Sequence, residues 1–418
     1  MKVLLINKYY YIKGGSETYF FGIKDILEKN GHEVVVFSMK DDKNFESKYE
    51  KNFVENINYN NKSLISKIKN GLKLINSHEA YIKLCKLIEE TKPDIAHVNL
   101  IYHQLTPAIF HALKKYNIPI VFTAHDYKII CPNYKIYNRN RICKKCYGGK
   151  YYNCFLNNCH KKSFSYSFLL MLEAYYHKFK GSYELINKII CPSKFMKEQI
   201  LLSGIPSNKL IHIPNFISNE FYIIKFDKES FKRENIILYY GRLSKEKGIE
   251  TLLDAKKRID NVKLKIIGIG PEEEYLKNKV KDEKINNVIF LGFKSGNDLL
   301  REISSSKCTI IPSVWNEVFG LTIIESFSVG TPVIGAKAGG ITEIIKENLT
   351  GFLYNPYDIT ELVDRINKVV NMEDKAYLNM AENCYKEKLV YSSETYYLEL
   401  IRVYDATIKE YQQDAGFI

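Results

Sequence analysis

Two glutamates eight residues apart, with a glycine between them, carry the most chemical information in this sequence. They lie in Pro312-Ser313-Val314-Trp315-Asn316-Glu317-Val318-Phe319-Gly320-Leu321-Thr322-Ile323-Ile324-Glu325-Ser326. A strand delivers Glu317 into a loop, and the helix that follows carries Glu325. Main-chain amides around Gly320, Leu321 and Thr322 then form a helix N-terminus, which attracts phosphate or electron-rich oxygens. Eight residues of helical rise would be about 12 Å, an upper bound because part of the segment is loop. The carboxylates are thus placed to hold different hydroxyl-bearing parts of one ligand, and a nucleotide-sugar has hydroxyls at both ends. Solvated helix glutamates are the plain alternative. Against it stand Gly330-Thr331-Pro332-Val333-Ile334-Gly335 and Ala338-Gly339-Gly340, with Glu343 beyond, glycines that suit close backbone approach beside the same pocket.

A second group of residues supplies positive charge. In Gly241-Arg242-Leu243-Ser244-Lys245-Glu246-Lys247-Gly248, a strand end presents Arg242 and Lys247. Two cations beside a helix start neutralise a diphosphate leaving group without a metal. Gly14-Gly15 precedes a polar helix start and suits approach to sugar or phosphate, and His125-Asp126 follows an apolar strand. Ser193 reads as an N-cap. Five of nine cysteines fall between positions 131 and 159, and Cys143-x2-Cys146 with Cys154-x4-Cys159 is spacing that a tetrahedral structural zinc collects; intervening lysines would lower the thiol pKa values. Unpaired thiols and disulfides are the alternatives, the latter disfavoured by a cytosolic redox poise.

The elements needed to position these residues are legible from periodicity. At 418 residues, with 45% hydrophobic and 26% charged residues, the chain suits two or three soluble domains and excludes a disordered or membrane-spanning chain. Without ~20 consecutive apolar residues or a signal-peptide core, it is expected to be cytoplasmic. Strands at Lys2–Asn7, His32–Met39, Ile95–Leu100, Ile118–Ala124 and Lys188–Cys191, and again at Ile236–Tyr240, Leu264–Gly268, Val288–Gly292, Thr309–Pro312 and Pro332–Gly335, alternate with amphipathic helices. This predicts two doubly wound α/β domains, 1–216 with a Cys-rich insertion at 131–160 and 217–392, followed by a terminal helix at 393–418. In such sheets ligands sit beyond the carboxyl ends of the strands, here in a cleft between facing domains.

The net charge of +13 favours polyanions without choosing among them, and Lys-rich composition alone explains it equally well. No nucleic-acid recognition module is visible, and a Gly-x-Gly-x-x-Gly fingerprint is absent. Phe164, Phe168, Leu172, Tyr175 and Phe179 form one helical stripe beside Lys161 and Lys162, and Leu64, Ile68, Leu72 and Ile75 another within Lys62–Ile75. Each reads as a helix packed on its own domain or as a peripheral membrane contact at the inner membrane face.

The pattern P-S-x3-E-x-F-G-L-x3-E, then G-x-P-V-I and G-G-x2-E, together with the Arg242–Gly248 segment, resembles the retaining glycosyltransferases of family 4 over most of the chain. The resemblance implies a GT-B fold of two Rossmann-like domains facing across a deep cleft, with 1–216 on the acceptor side, 217–392 binding nucleotide-sugar and the 393–418 helix crossing back, and a nucleotide-diphosphate-sugar donor with no catalytic metal. It also implies a retaining hexosyltransferase acting on a saccharide or lipid-linked saccharide in surface polysaccharide or glycolipid assembly. By the same resemblance Arg242 and Lys247 hold the diphosphate, Glu325 the ribose hydroxyls, and Glu317 and His125 lie near the transferred sugar. The loop at Gly15 faces donor and acceptor. A sugar-nucleotide epimerase, a phosphorylase or a catalytically silent scaffold would keep the fold and change the chemistry.

Overall fold

The computed structural model describes residues 1–56, 71–138, 141–160, 163–228 and 232–414. Lys161 and Lys162, and positions 62–70 of the Lys62–Ile75 stripe, lie outside the described residues. The chain divides into two compact units, Met1–Pro214 with Glu394–Ile418, and Asn215–Ser393.

The first unit is built on a six-stranded parallel sheet. Its strands are β1 (Lys2–Ile6), β2 (Glu33–Phe37), β3 (Ile95–Val98), β4 (Ile120–Thr123), β7 (Lys188–Cys191) and β8 (Leu210–His212), in the order β2-β1-β3-β4-β7-β8. A short antiparallel pair, β5 (Tyr137–Asn138) and β6 (Arg141–Ile142), lies in the Cys-rich insertion. Val3, Leu4, Leu5 and Ile6 are all fully buried, the continuous apolar run expected of a strand covered on both faces. Val3 pairs with Val34 on one side and Ile95 on the other.

The second unit repeats the plan with β9 (Glu234–Tyr240), β10 (Lys263–Ile267), β11 (Val288–Phe290), β12 (Ser306–Ile311), β13 (Val333–Ala336) and β14 (Gly351–Tyr354), ordered β11-β10-β9-β12-β13-β14. Both sheets are doubly wound, as the alternating pattern predicts. The pattern did not anticipate β14, the β5–β6 pair, or the helices His78–Thr91, Ala108–Lys115 and Asp374–Glu387.

The last helix, Ser393–Asp414, packs on the first unit through a stripe of Tyr396, Leu400, Val403, Tyr404 and Thr407, a spacing that keeps all five on one helical face. Buried hydroxyls fix its register. Tyr404 Oη lies 2.6 Å from His97 Nδ1, and Tyr396 Oη meets Tyr19 Oη.

Candidate active site

In the second unit the sheet places the motif segments side by side. Arg242 follows β9, the Pro312–Gly320 loop follows β12, and Ala338-Gly339-Gly340 follows β13, with β12 hydrogen-bonded between β9 and β13. All three therefore emerge at the carboxyl edge of adjacent strands.

Backbone approach at glycines closes these segments onto one another. Gly248 has φ +67°, and a Cβ there would stand 1.9 Å from the Pro312 carbonyl oxygen. Just beyond, Val314 N donates to Glu246 O at 3.0 Å. The Lys245–Gly248 turn is thereby docked on the loop after β12. Gly339, at φ +63°, lies so close to Glu317 that a Cβ would come within 2.4 Å of its carbonyl oxygen, and Gly340 N donates to that oxygen at 2.8 Å.

This docking brings two predicted residues into direct contact. Lys247 Nζ is 2.7 Å from Glu317 Oε1, which also accepts a short hydrogen bond from the buried Ser313 hydroxyl. The ammonium lies 5.9 Å from the Trp315 ring centre. Arg242 is exposed, and its guanidinium has no ion-pair partner among the described residues. Gly320, φ +123°, caps the helix Leu321–Ser328, so Leu321 and Thr322 occupy its first turn. Glu325 lies further along the helix, where burial pushes its carboxyl up to about 7. Tyr240 Oη abuts it while donating to Thr322 O at 2.6 Å. An un-ionised or half-ionised carboxyl at neutral pH is poised to gain charge when a hydroxyl-bearing ligand donates to it.

The first unit presents a different kind of site. His125 follows β4, with Nε2 2.9 Å from Asn99 Oδ1 and the ring 4.8 Å from that of Tyr19. Because an amide oxygen only accepts, Nε2 carries the proton as assigned. Burial pushes this imidazole down to about 3, so it is neutral. Asp126 is pushed up to about 6 by burial, against the Lys128 amide that donates to Oδ1 at 2.8 Å. Gly15 opens the helix Gly15–Lys29, but Gly14 is extended at φ −175°, and neither glycine adopts left-handed backbone. Ser193 caps its helix by accepting from Met196 N at 3.2 Å.

The cysteines of the insertion are gathered but not closed on one centre. Cys146 and Cys154 are buried together against Leu170, with Cys159 beside them. Main-chain amides of Ile136, Asn133 and Lys135 point at the Cys131 sulfur, and Asn138 Nδ2 lies 3.6 Å from Cys159 Sγ. All are free thiols, and among the described residues no three His, Cys, Asp or Glu side chains stand ready to hold a metal ion. At three of these thiols the expected lowering of the pKa by neighbouring lysines is reversed. Burial raises Cys131 to about 11, burial and neighbouring thiols raise Cys146, and a hydrogen bond with Cys159 together with burial raises Cys154. The Phe164–Phe179 helix buries Ser167, Leu170, Glu173 and His177 and leaves Phe164, Phe168, Leu172 and Phe179 exposed. The stripe packs on its own unit only in part, with Phe164 and Phe168 edge-on to Phe155 at 6.0 and 5.5 Å and Tyr175 against Tyr151 at 5.4 Å. Among the described residues no helix is long and apolar enough to cross a membrane.

Three contributors escaped the sequence reading: Ser313, Tyr240 and Asn99. Each is a polar side chain at or just beyond a strand end, which is the signal that marked His125.

The family model for Glycosyltransferase Family 4 matches residues 13–221, half of the chain, and that for Glycosyl transferases group 1 matches residues 221–387. The chain belongs to glycosyltransferase family 4. It is 32% identical over 235 residues to an uncharacterised glycosyltransferase of Methanocaldococcus jannaschii, a match covering 52% of this chain and 59% of that protein. It is 30% identical over 227 residues to a lipopolysaccharide 1,2-N-acetylglucosaminetransferase of Salmonella typhimurium, covering 49% and 58%. The matches thus span less than two thirds of these relatives' lengths. Among solved structures, sucrose-phosphate synthase from Thermosynechococcus elongatus is similar at a TM-score of 0.71 and 18% identity, covering 98% of this chain and 99% of that one. Anabaena HepE in complex with UDP-glucose is similar at 0.68 and 17%, covering 97% and 100%. These likenesses show the fold, which is GT-B.

Proposed function

We propose that this family-4 glycosyltransferase moves a sugar from a nucleoside-diphosphate donor to an acceptor hydroxyl with retention of configuration. The observation that carries the reading is the docked turn that sets Lys247 against Glu317 at the carboxyl edge of β9 and β12, the same edge that carries the exposed Arg242, which has no ion pair among the described residues. Arg242 and Lys247 neutralise the departing diphosphate, Glu325 accepts from ribose hydroxyls, and Glu317 accepts from hydroxyls of the transferred sugar. The bond from the anomeric carbon to the diphosphate oxygen breaks as the bond to the acceptor oxygen forms on the same face. The acceptor's proton passes to the departing phosphate oxygen, so no side-chain base is required. Neutral His125 sits beside the sugar without adding positive charge where an oxocarbenium-like centre develops.

UDP-sugars are the first donors to test, because the similar HepE was solved with UDP-glucose. Thermal stabilisation by UDP-, GDP- and ADP-sugars is the experiment. A shift with one of them, abolished in Arg242→Ala, is expected, and no shift with any removes the reading.

The acceptor is proposed to be a lipid-linked saccharide, met at a membrane surface by the exposed Phe164–Phe179 face. Flotation with anionic vesicles, lost in Phe168→Glu, is the expected result. A structural zinc in the insertion would need Cys143, Cys146, Cys154 and Cys159 to rotate their sulfurs onto one centre. About one zinc per chain by elemental analysis, lost in Cys143→Ser, would establish it, and metal-free protein of equal stability would dismiss it.

A further inference from the structure

The contact between Lys247 and Glu317 sets a competition that the sugar donor and the leaving diphosphate experience differently. Glu317 is the fixed partner. Its carbonyl oxygen is bonded to Gly340 N, its main chain bridges to Gly339, and its Oε1 is bonded to Ser313 Oγ. Lys247 is the mobile partner, with four methylenes and a side chain 28% exposed. A diphosphate approaching this turn meets one cation, Arg242, that has no ion pair among the described residues and a second that is already occupied. The ammonium therefore has to leave the carboxylate, or share itself between two anions.

We propose that Glu317 is a built-in competitor for Lys247, and that Ser313 is the positioning residue holding the carboxylate in place while the cation changes partner. This rests on the diphosphate role given to Lys247 above. With the whole donor bound, sugar hydroxyls replace the ammonium at Glu317, so neither anion is left unsatisfied. With only the nucleoside diphosphate bound, as after transfer, Glu317 has lost its cation and gained nothing. The same pair thus favours the donor over the product and speeds product departure.

Calorimetric titration of UDP, GDP and ADP into wild type, Glu317→Gln and Ser313→Ala tests this. Removing the carboxylate's charge is expected to tighten the nucleoside diphosphate that binds wild type by about five- to tenfold, roughly the worth of releasing a partly exposed ion pair. The affinity advantage of the matching nucleotide-sugar over that diphosphate is expected to shrink. Ser313→Ala is expected to leave diphosphate affinity unchanged while kcat falls, and Ser313→Thr to restore kcat by returning the hydroxyl. Equal or weaker diphosphate binding in Glu317→Gln overturns the proposal. So does a Ser313→Ala effect on diphosphate affinity as large as that of Glu317→Gln. A second measurement needs no variant. A crystal structure of wild type with the diphosphate is expected to show Lys247 Nζ on phosphate and beyond about 4 Å, the ion-pair limit, from Glu317 Oε1; an intact pair overturns the competition. Failure of any nucleoside diphosphate to bind wild type is a different result, which removes the functional reading and this proposal together.

Discussion

Lys247 and Glu317 form an ion pair and Arg242 stands exposed at a partly open strand edge of the second unit, whereas His97 and His125 in the first unit are both pushed down to about 3 by burial. The second unit holds its polar groups with ion pairs that a ligand can exchange. The first holds them with neutral hydroxyl and imidazole contacts. His97 Nε2 lies 2.7 Å from Thr123 Oγ1, which is 3.0 Å from Tyr19 Oη, and Nδ1 faces Tyr404. A site that must accept two phosphate groups needs replaceable charge. One beside a carbon that becomes electron-poor is better served by fixed neutral dipoles, which cost no reorganisation during the reaction.

A full charge pair buried in the first unit would break this contrast if it were dispensable. Lys128 Nζ and Glu173 Oε2 are 2.6 Å apart with side chains only 3% and 4% exposed, and Lys128 also donates to Pro132 O at 3.0 Å. The pair ties the loop after His125 to the Phe164–Phe179 helix. Lys128→Met leaves Glu173 charged and alone, a loss of about 3–5 kcal/mol. Chemical denaturation is expected to show it as the largest destabilisation among the variants considered. Loss below 1 kcal/mol would mean that the loop is held by other contacts.

Arg242→Ala sharpens the other side. On the proposed role it removes a charge-assisted contact to diphosphate, and donor affinity is expected to fall about ten- to a hundredfold with no change in melting temperature, because the guanidinium pairs with nothing among the described residues. Equal loss of stability would mark it as structural.

Glu325 separates the two units by pH. Its carboxyl is raised to about 7 by burial, whereas an unfolded glutamate titrates near 4.5. The folded state therefore binds the proton more tightly, so this stabilising contribution is complete below 4.5 and is lost as pH rises through 7. Glu325→Gln is expected to melt at the wild-type temperature near pH 4 and above it at pH 8, while donor binding weakens. Wild-type donor affinity is expected to fall as pH drops below 7, because the protonated carboxyl accepts hydroxyl hydrogen bonds less well. His125, already neutral, contributes no step between pH 5 and 8.

The sequence made the second unit's site far more legible than the first's. Gly248, Gly320 and Gly339 announce backbone approach because no Cβ fits at their positions, and the acidic and basic residues they position lie within a few residues of them. The contacts that complete each site are long-range. Tyr240 reaches Thr322 across 82 positions, and His97 reaches Tyr404 across 307. Periodicity shows that Tyr404 faces a core but not which group it meets. The cysteines failed for a related reason: spacing shows that Cys143 and Cys146 are neighbours, while burial, which sets thiol acidity, depends on Leu170 and the helix around it.

Tyr404→Phe is the gentlest test, because it keeps the ring and removes only the oxygen facing His97 Nδ1. The ring nitrogen is then left without its partner in a fully buried position, a cost of about 1–3 kcal/mol. His97 stands one contact from Thr123 and two from Tyr19, and Tyr19 lies against His125, so a small tilt of His97 passes to His125, the residue that the proposed function sets near the sugar. If the first unit works by fixed dipoles, Tyr404→Phe lowers kcat several-fold while nucleotide binding, which the proposed function assigns to the second unit, is unchanged. A variant that loses stability but keeps wild-type kcat would show that the terminal helix is an anchor only, and that the neutral network ends at Thr123.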